Sequence, residues 1–348
     1  MGQKNFVPYF SITPFDIFVK EENLYKSWRK FKRGKRERPD VIWFERKLAQ
    51  EISNLSSELL TENYSHSGYL KFFVRDPKFR PIHKALVRDR IVHQALYDVL
   101  YPLWDKTFFF DSYSSRLGKG TQAAIARIMK FIGQDSLNLK REVYVFHGDV
   151  KNFFGSVDHM ILLSFLNKKI ADKHYLRLCR HIIRSFNGAE GVGIPLGNLT
   201  SQLFANIYLH ELDYFIKQRH GVRHYVRYND DFYIISSDKD FLVTLSRDIK
   251  EFLSSYLHLD LPDHKIIIKN LKDGIDILGV VAFPYGLVPR RRLRRKALAI
   301  VSQIERSGYT TQASRQLVSY IGLLGQSHSY LLKERLRLSL TQNYDFSV

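Results

Sequence analysis

The chain has 348 residues, a formal net charge of +19 and a single cysteine. One cysteine excludes an intrachain disulfide framework and is typical of a reducing cytosol, so we expect a cytoplasmic protein. The positive charge favours a polyanionic partner, because Lys and Arg displace counterions from phosphates; binding to a membrane surface is the competing use. No apolar stretch approaches the ~20 residues that span a bilayer, and the first residues lack a signal-peptide core. We therefore expect no membrane partner.

The first predicted elements are a basic segment and a helix. Residues 26–38 hold eight Lys and Arg against one Glu. Such a charge run is commonly a solvated, partly disordered arm. The interleaved Trp28 and Phe31 favour RNA binding instead, because aromatic side chains stack on unpaired bases. Apolar residues from Val41 to Leu59 then recur at helical spacing, which predicts a helix that packs into the core.

The rest of the chain alternates between predicted helices and strands. In chain order these are a two-stranded ribbon at 69–84 turning at Asp76-Pro77, a helix at 88–104, a Gly- and Ser-rich loop at 111–121, a helix at 122–132, a strand at 143–148, a helix at 159–170 capped by Ser156 or Asp158, a helix at 200–219, a strand pair around Asp230, a helix at 240–257, strands within 264–284, and helices near 310–325 and 328–341. This order predicts an α+β fold with a small antiparallel sheet and helical additions.

Three carboxylates lie at predicted strand ends. Asp149 follows the run YVFHG, and Asp230 and Asp231 lie in HYVRYNDDFYIIS at a predicted hairpin turn. Hard Mg²⁺ ions take oxygen ligands, and a metal pair about 3.5–4 Å apart stabilises both oxygens of an in-line displacement. Taken alone, an Asp-Asp pair is commonly a solvated loop, and a lone Asp after a strand is commonly a helix cap. Their order and spacing together predict a two-metal phosphoryl-transfer site of a nucleic-acid polymerase.

Several longer segments resemble reverse transcriptases. HGDVKNFFGSVDH, GIPLGNLTSQLFANIYLHELD, YVRYNDDF and DILGVVAFP occur in the order of the palm motifs of that family. GNLTSQ is similar to the motif of diversity-generating-retroelement, retron-like and antiphage-defence enzymes of bacteria, which end in Ser-Gln where other members have Ser-Pro. DPKFRPIHKALVRDRIVHQAL, DSYSSRLGKGT and KRGKRERPDVIWFE resemble the fingers and N-terminal segments of the same lineage. The resemblance runs from about residue 26 to near 340.

The resemblance implies a right-hand polymerase fold, with fingers, a palm built on an antiparallel sheet, and a helical thumb. The expected segments are a basic N-terminal extension and helix at 1–68, fingers at 69–145, palm at 146–288 with a fingers/palm insertion at 171–200, and thumb at 289–348.

The resemblance also implies catalytic roles for individual residues. Asp149 and Asp230 are the expected main metal ligands, Asp231 adds negative charge and a further ligand, and the backbone carbonyl of Val150 completes the set. The expected ions are two Mg²⁺, with Mn²⁺ as the alternative. Lys265 matches the position of a general acid that protonates the pyrophosphate leaving group, and a solvated lysine is the alternative interpretation.

Further residues match positions that contact the nucleotide in the family. Phe154 matches the aromatic gate that clashes with a ribose 2′-OH; core packing is the alternative, and it is the expected role of the adjacent Phe153 because strand neighbours point to opposite faces. Arg75 and Arg80 on the predicted ribbon match residues that grip the triphosphate. Arginine suits this role because its planar fork binds phosphate oxygens in a bidentate way.

The loop Gly193–Gln202, with the sequence GIPLGNLTSQ, is expected to hold the template and the nucleotide base. Gly197 permits close backbone approach, and Asn198, Ser201 and Gln202 offer hydrogen bonds. Leu196 stands where many reverse transcriptases have Gln. In the resembled retroelement group an apolar residue at this position accompanies low fidelity, so the resemblance implies error-prone synthesis.

Asn229 departs from the family pattern, which has Ala, Val or Met between the Tyr and the first Asp. Asn is a good hairpin-turn residue, and this is one interpretation of its presence. The other is a contact with the primer end or the nucleotide sugar. Both interpretations stay open from the sequence.

Two basic segments are expected to bind nucleic acid. Their expected contact residues are Lys32, Arg33, Lys35, Arg36, Arg290, Arg291, Arg292, Arg294 and Arg295. The predicted function is RNA-directed DNA polymerase activity on a cognate non-coding RNA template, giving a DNA product, with an accessory protein or a second polymerase subunit as further partner. Antiphage defence is the favoured setting, and a diversity-generating retroelement is the alternative. A catalytically silent RNA-binding protein is the alternative from another functional class.

Overall fold

A computed structural model describes residues 13–75, 79–186, 190–308, 310–324 and 330–341. Its α-helices are α1 Phe15–Phe18, α2 Glu21–Phe31, α3 Pro39–Glu45, α4 Leu48–Leu60, α5 Val87–Asp105, α6 Thr121–Asp135, α7 Phe153–Ser156, α8 His159–Asn167, α9 Lys173–Arg184, α10 Leu199–Tyr214, α11 Lys239–Leu257, α12 Arg291–Ser307, α13 Thr311–Leu324 and α14 Tyr330–Thr341. Its strands are β1 Tyr69–Val74, β2 Arg80–Ala85, β3 Tyr144–Asp149, β4 Tyr225–Tyr228, β5 Asp231–Ser236, β6 Ile266–Asn270, β7 Ile275–Ile277, β8 Val280–Phe283 and β9 Gly286–Pro289. The predicted turn at Asp76-Pro77 lies outside the described residues.

The chain folds as two compact units. The first runs to Phe110 and includes Val150–Arg219 and Asp248–Pro262. The second comprises Asp111–Asp149, His220–Arg247 and the residues from Asp263 onward. The predicted extension, fingers, palm and thumb are a different division of the chain and stay predictions.

The first unit is helical apart from the antiparallel ribbon β1–β2. Helix α2 forms because Leu24, Trp28 and Phe31 recur at helical spacing and bury one face. The side chains of Trp28 and Phe31 are 1% and 4% exposed, and the Trp28 ring lies 5.3 Å from the ring of Phe44. The expectation that these two aromatics stack on RNA bases is therefore wrong, as is the interpretation of this stretch as a partly disordered arm. These two rings pack in the core because they lie on the apolar face of α2.

The apolar stripe from Val41 to Leu59 forms two helices, α3 and α4, where one was expected. The break falls at Lys47, whose φ of −115° and ψ of 18° are outside the helical region. Apolar periodicity does not reveal the break, because the buried residues continue at helical spacing on both sides of it. Farther on, Asp158 caps α8 as expected, accepting hydrogen bonds from the backbone N–H of Met160 at 2.8 Å and Ile161 at 3.1 Å.

The single cysteine lies in the surroundings of an inert, packed thiol. Cys179 on α9 is fully buried, and burial raises the pKa of its thiol to about 12.

The second unit is built on a four-stranded antiparallel sheet in the order β4-β5-β3-β6. Val145 on β3 pairs with Ile235 on β5, and both are buried in a core that includes residues of α6. Because strand side chains alternate between faces, His147 and Asp149 share the face of Val145. One face of the sheet therefore carries the hydrophobic core at one end and ionisable side chains at the other.

Two smaller parts complete the second unit. Strands β7, β8 and β9 form a three-stranded antiparallel sheet. Helices α12, α13 and α14 pack on one another around Ala297, Val301, Leu317 and Leu336. The helices predicted near 310–325 and 328–341 thus correspond to α13 and α14.

Candidate active site

The carboxylate end of the four-stranded sheet brings together the acidic residues that the sequence singles out. Asp149 is the last residue of β3, and Asp231 is the first residue of β5. The two lie directly opposite each other in the strand register, so their side chains project from the same face. Asp230 lies in the tight turn between β4 and β5. Three carboxylates therefore lie on two adjacent strand ends and the turn that joins β4 to β5.

Asp149 is held by the expected general acid. Lys265 Nζ donates a hydrogen bond of 2.8 Å to Asp149 Oδ2. Lys265 directly precedes β6, and β6 pairs with β3. The side chains of both residues are about one fifth exposed, at 23% and 19%. The structure thus places the ammonium group beside the predicted metal ligand and not in open solvent.

Asp231 is held by a histidine that the sequence analysis did not single out. His147 Nε2 lies 2.9 Å from Asp231 Oδ1, where the imidazole N–H donates to the carboxylate. The imidazole also stacks on the Tyr233 ring at 4.6 Å, with 6° between the planes. Burial and then the Asp231 carboxylate raise the pKa of the Tyr233 phenol above its ordinary value. The two-residue period of a strand is the signal that puts His147 on the face of Asp149.

The turn that carries Asp230 is stabilised from within the sheet. Arg227 on β4 is fully buried, and its guanidinium donates 3.2 Å to the carbonyl oxygen of Asn229 and 3.1 Å to Ser112 Oγ. Asn229 has a φ of +53°, a left-handed conformation that Asn adopts at lower cost than most residues. Asn229 therefore lies in the hairpin turn, as the first of its two interpretations predicts.

Gly148 lets the strand approach its neighbour closely just before Asp149. A Cβ on Gly148 would lie 2.5 Å from Phe232 Cζ. Phe232 is fully buried, and its ring packs 5.5 Å from that of Phe146. A side chain at position 148 would shift this packing on the face opposite the carboxylates.

The donor set has the chemistry of a divalent-metal site. Asp149, Asp230 and Asp231 offer carboxylate oxygens, the ligands that Mg²⁺ prefers. Within the described part of the chain, no three His, Cys, Asp or Glu side chains are already arranged around a common metal position. Lys265 and His147 instead contact the two carboxylates that face each other across the strands. The residues fit Mg²⁺ by ligand type, because each carboxylate has a second oxygen besides the one that contacts Lys265 or His147.

Other predicted site residues lie in the first unit. Val150 is buried, and Phe153 is 1% exposed, which confirms its expected core role. Phe154 is half-buried. The carbonyl oxygen of Phe154 accepts a hydrogen bond of 2.7 Å from the backbone N–H of Ile194. The predicted gate residue is thus joined to the start of the predicted template loop.

The loop at 193–198 is held on the ribbon strand β2. The backbone N–H of His83 donates 2.9 Å to the carbonyl of Leu196. The Asn198 side chain donates 2.8 Å to the His83 carbonyl and accepts 3.1 Å from the Ala85 N–H. Asn198 is 2% exposed, so the expectation that it offers hydrogen bonds to the template is wrong: strand β2 uses both ends of its amide.

Gly197 lies close to strand β2 of the ribbon, and its expected approach to template or nucleotide stays a prediction. Its φ is +116°, and a Cβ there would lie 2.7 Å from Ile82 Cγ2. Ser201 is buried, whereas Gln202 is exposed at the start of α10. Three polar residues were expected to face the template, namely Asn198, Ser201 and Gln202. Of these three, Gln202 is the one that is exposed.

The ribbon presents aromatic and basic side chains. Arg75 follows β1, Arg80 begins β2, and both are exposed. Phe73 and Phe79 are 52% and 59% exposed, and their rings stack at 4.7 Å. This chemistry is compatible with binding a charged, planar ligand.

Most of the predicted nucleic-acid contact residues are exposed, and some of them already have a partner within the protein. Lys32 forms an ion pair with Glu45, and Lys35 Nζ donates 2.6 Å to the Phe31 carbonyl. Arg33 and Arg36 are exposed. On α12, Arg290 pairs with Asp276, whereas the other four predicted contact residues are exposed, namely Arg291, Arg292, Arg294 and Arg295.

Comparisons with known proteins give the family. The family model "Reverse transcriptase (RNA-dependent DNA polymerase)" matches residues 75–282. Protein YkfC of Escherichia coli (strain K12) is 27% identical over 298 residues, covering 74% of this chain and 76% of YkfC. The group II intron-encoded protein LtrA of Lactococcus lactis subsp. cremoris is 27% identical over 148 residues, covering 40% of this chain and 23% of LtrA. This chain belongs to the reverse transcriptase family, whose members are RNA-directed DNA polymerases.

A solved structure gives the same fold. Apo telomerase from Candida Tropicalis aligns with a TM-score of 0.50 and 14% identity, over 83% of this chain and 61% of that chain. At this identity the likeness concerns the fold alone. The predicted right-hand polymerase fold and reverse transcriptase class are confirmed, while the particular bacterial subgroup stays a prediction. Among the described helices, none combines the length and the apolar composition that a membrane crossing requires.

Proposed function

We propose that this chain synthesises DNA from dNTPs on an RNA template, with two Mg²⁺ ions, or Mn²⁺ as the alternative, held by Asp149, Asp230, Asp231 and the backbone carbonyl of Val150. The observation that supports this most is the pairing of Asp149 with Asp231 across β3 and β5, beside the turn that carries Asp230. When bound, the ions supply positive charge that stabilises the attacking and leaving oxygens.

The chain's own residues have distinct roles in this proposal. A primer 3′ oxygen attacks the α-phosphorus, and the bond to the pyrophosphate oxygen breaks. Lys265 gives a proton to that leaving oxygen. Its ammonium group suits this role because it lies beside a proposed metal ligand, 2.8 Å from Asp149 Oδ2. His147 orients Asp231 through its hydrogen bond. Arg227 keeps the turn of Asp230 in one conformation by bonding the Asn229 carbonyl.

Nucleotide selection is proposed to lie with residues of the first unit and with Asn229. Phe154 excludes a ribose 2′-OH, and Arg75 and Arg80 bind the triphosphate. Gln202 offers a hydrogen bond to template or nucleotide. Leu196 and Gly197 line the base position, where the absence of a polar side chain on Leu196 supports error-prone synthesis. Asn229 contacts the primer end or the nucleotide sugar through its amide.

Nucleic-acid binding outside the site is proposed for the exposed arginines of the two basic segments, which include Arg33 and Arg36 near α2 and four arginines of α12. Lys32, Lys35 and Arg290 contribute less, because each already has a partner within the protein. The proposed partners are a cognate non-coding RNA as template, the DNA product, and an accessory protein or second polymerase subunit, in the cytoplasm.

For the biological role we propose antiphage defence, supported by the departure at Asn229 from the usual retroelement pattern. A diversity-generating retroelement is the alternative, supported by the Ser-Gln ending of GNLTSQ. Genomic neighbours distinguish the two, because a near-repeat pair with adenine mismatches accompanies the second. A catalytically silent RNA-binding protein is the third possibility, and the three retained carboxylates argue against it.

The experiment that tests the proposed function is to purify the protein with its bound nucleic acid and supply dNTPs. Sequencing of the RNA that copurifies and of any DNA made gives template and product together. DNA complementary to a defined RNA supports the proposal. Bound RNA with no DNA product, under either Mg²⁺ or Mn²⁺, would favour the silent RNA-binding alternative.

A further inference from the structure

The outer surface of α3 exposes large apolar side chains next to cations. Trp43 is 58% exposed and Ile42 is 42% exposed, while Val41 and Phe44 on the same helix are buried. Lys47 Nζ lies 4.9 Å from the centroid of the Trp43 ring. We call the exposed set Ile42, Trp43, Arg46 and Lys47 the α3 surface. An exposed tryptophan in such a position contributes nothing to the core of the first unit, which is built around Trp28.

The charge around the α3 surface is positive and not neutralised. Arg33, Arg36 and Arg38 are exposed in the segment that leads into α3, and Arg46 follows its last turn. Within the described residues, none of these four arginines forms an ion pair. Glu45 pairs with Lys32, and Asp40 pairs with Lys84 and Arg90. Glu37 is exposed between Arg36 and Arg38, and the cations of this stretch outnumber its acids.

The pKa of Lys35 reflects its burial and the positive charges near it. Burial, and then the positive charges of Arg90 and Arg38, lower the pKa of Lys35. Burial lowers the pKa of Arg90, its partner Asp40 raises it, and Arg38 lowers it. Cations that lie this close together are stabilised by a polyanion that brings further negative charge to them.

We propose that the α3 surface binds single-stranded RNA, with Trp43 stacked on an unpaired base and Arg36, Arg38 and Arg46 on phosphates. This inference rests on the proposed RNA-templated function. An aromatic platform beside exposed cations is the arrangement that single strands require, because every base has a flat face and every nucleotide a charge. A duplex hides its base faces, so Trp43 favours unpaired RNA over duplex. The stacking residue is therefore Trp43, in place of the buried Trp28 and Phe31.

The first test compares Trp43→Ala and Trp43→Phe with Tyr214→Ala, a control on α10 whose side chain is 50% exposed. Probes are a short oligouridylate, the same RNA with abasic positions, and a blunt RNA duplex. We expect Trp43→Ala to weaken oligouridylate binding roughly 5- to 100-fold. Binding of the abasic RNA and of the duplex should stay within twofold, roughly, because neither offers a base face to stack on. Trp43→Phe should restore most of the affinity, and Tyr214→Ala should resemble wild type.

Equal losses on oligouridylate and abasic RNA, or no loss on either, would overturn the stacking role and assign Trp43 to a protein partner or to solvent. Circular dichroism and thermal unfolding of each variant show whether it folds. Since Trp43 is exposed, an unfolded Trp43→Ala protein would also contradict the description of this surface.

The second test addresses the phosphates. The triple variant Arg36→Gln, Arg38→Gln, Arg46→Gln should reduce the slope of log K against log salt by about 0.7 per lost contact, and Arg180→Gln, also exposed in the first unit, should leave it unchanged. An unchanged slope in the triple variant contradicts the phosphate contacts. Incorporation of dNTPs by the wild-type protein on a preannealed template–primer is measured separately. Its absence would contradict the proposed polymerase and leave these binding comparisons intact.

Discussion

The carboxylate end of the sheet and the α3 surface differ in whether their charged side chains have partners within the protein. At the sheet, Asp149 and Asp231 are partly buried. Asp149 pairs with Lys265, which directly precedes β6, and Asp231 pairs with His147 on β3. On the α3 surface and in the segment that leads into it, Arg46 and Arg36 are exposed and have no acidic partner within the described residues. The first arrangement holds charge within the protein, and the second leaves charge available to a ligand.

This difference separates reaction chemistry from binding. A reacting group must be held in position before the substrate arrives, since misplacement costs rate, and strands with side-chain partners provide that rigidity. Surface arginines need no fixed geometry to attract a phosphate backbone, because the attraction is electrostatic and largely independent of sequence. Substitutions at the sheet should therefore change the rate of synthesis, while those on the surface should change affinity and its salt dependence.

The largest effect is expected for Asp230→Asn. The change removes one negative charge from the turn while keeping the size of the side chain, so folding should survive. We expect dNTP incorporation to fall at least about a thousandfold, because several kcal/mol of charge stabilisation is lost. Primer extension under single-turnover conditions measures this, and Asp240→Asn, an exposed aspartate at the start of α11, is the control. An Asp230→Asn protein that extends primers like wild type would place the reaction elsewhere.

The next largest effect is on stability, and it distinguishes Trp28 on α2 from Trp43 on α3. Trp28→Ala should cost about 3–5 kcal/mol of unfolding free energy because it empties a packed core, whereas Trp43→Ala should stay within about 0.5 kcal/mol. Trp28→Phe should cost less than Trp28→Ala, since the buried indole N–H of Trp28 has no hydrogen-bond partner among the described residues. Denaturant unfolding measures all three. Equal costs for the two alanine variants would contradict the assignment of Trp28 to the core and Trp43 to the surface.

The sequence predicts the sheet better than it predicts the basic segment, for a physical reason. A strand has a period of two, so the positions of Asp149 and Asp231 follow once the register is set by the hairpin turn. In a helix-rich region, an aromatic residue among charges can face either way. Trp28 and Trp43 both stand beside basic residues, and tertiary packing alone decides that one is buried and the other exposed. The template loop is an intermediate case, because the glycine at position 197 is visible in the sequence, while the partner of Asn198 depends on a strand more than a hundred residues earlier.

A smaller effect is expected for sugar selection at Phe154. Phe154→Val shortens a half-buried side chain next to the buried Phe153. We expect the ratio of rNTP to dNTP incorporation to rise by about tenfold or more, as removal of a steric clash with one hydroxyl group permits. Competitive incorporation on a fixed template measures the ratio, and Phe153→Leu is the comparison. An unchanged ratio in a folded, active Phe154→Val protein would assign the gate to another side chain.

The smallest expected effect on single-nucleotide chemistry comes from α12. Neutralising Arg291, Arg292, Arg294 and Arg295 removes exposed charges and none of the proposed metal ligands, so one-nucleotide incorporation at saturating template–primer should change little. Affinity for the template–primer should fall, and the slope of log K against log salt should flatten by about 0.7 to 0.9 for each lost phosphate contact. Arg290→Gln should contribute less than Arg291, Arg294 or Arg295, because its guanidinium already pairs with Asp276. Arg247→Gln, an exposed arginine on α11, is the control for charge alone. If α12 is only a solvated helix face, neither the salt slope of the affinity nor the length of the products changes. The cations of α12 would then not bind nucleic acid in the way proposed for the α3 surface.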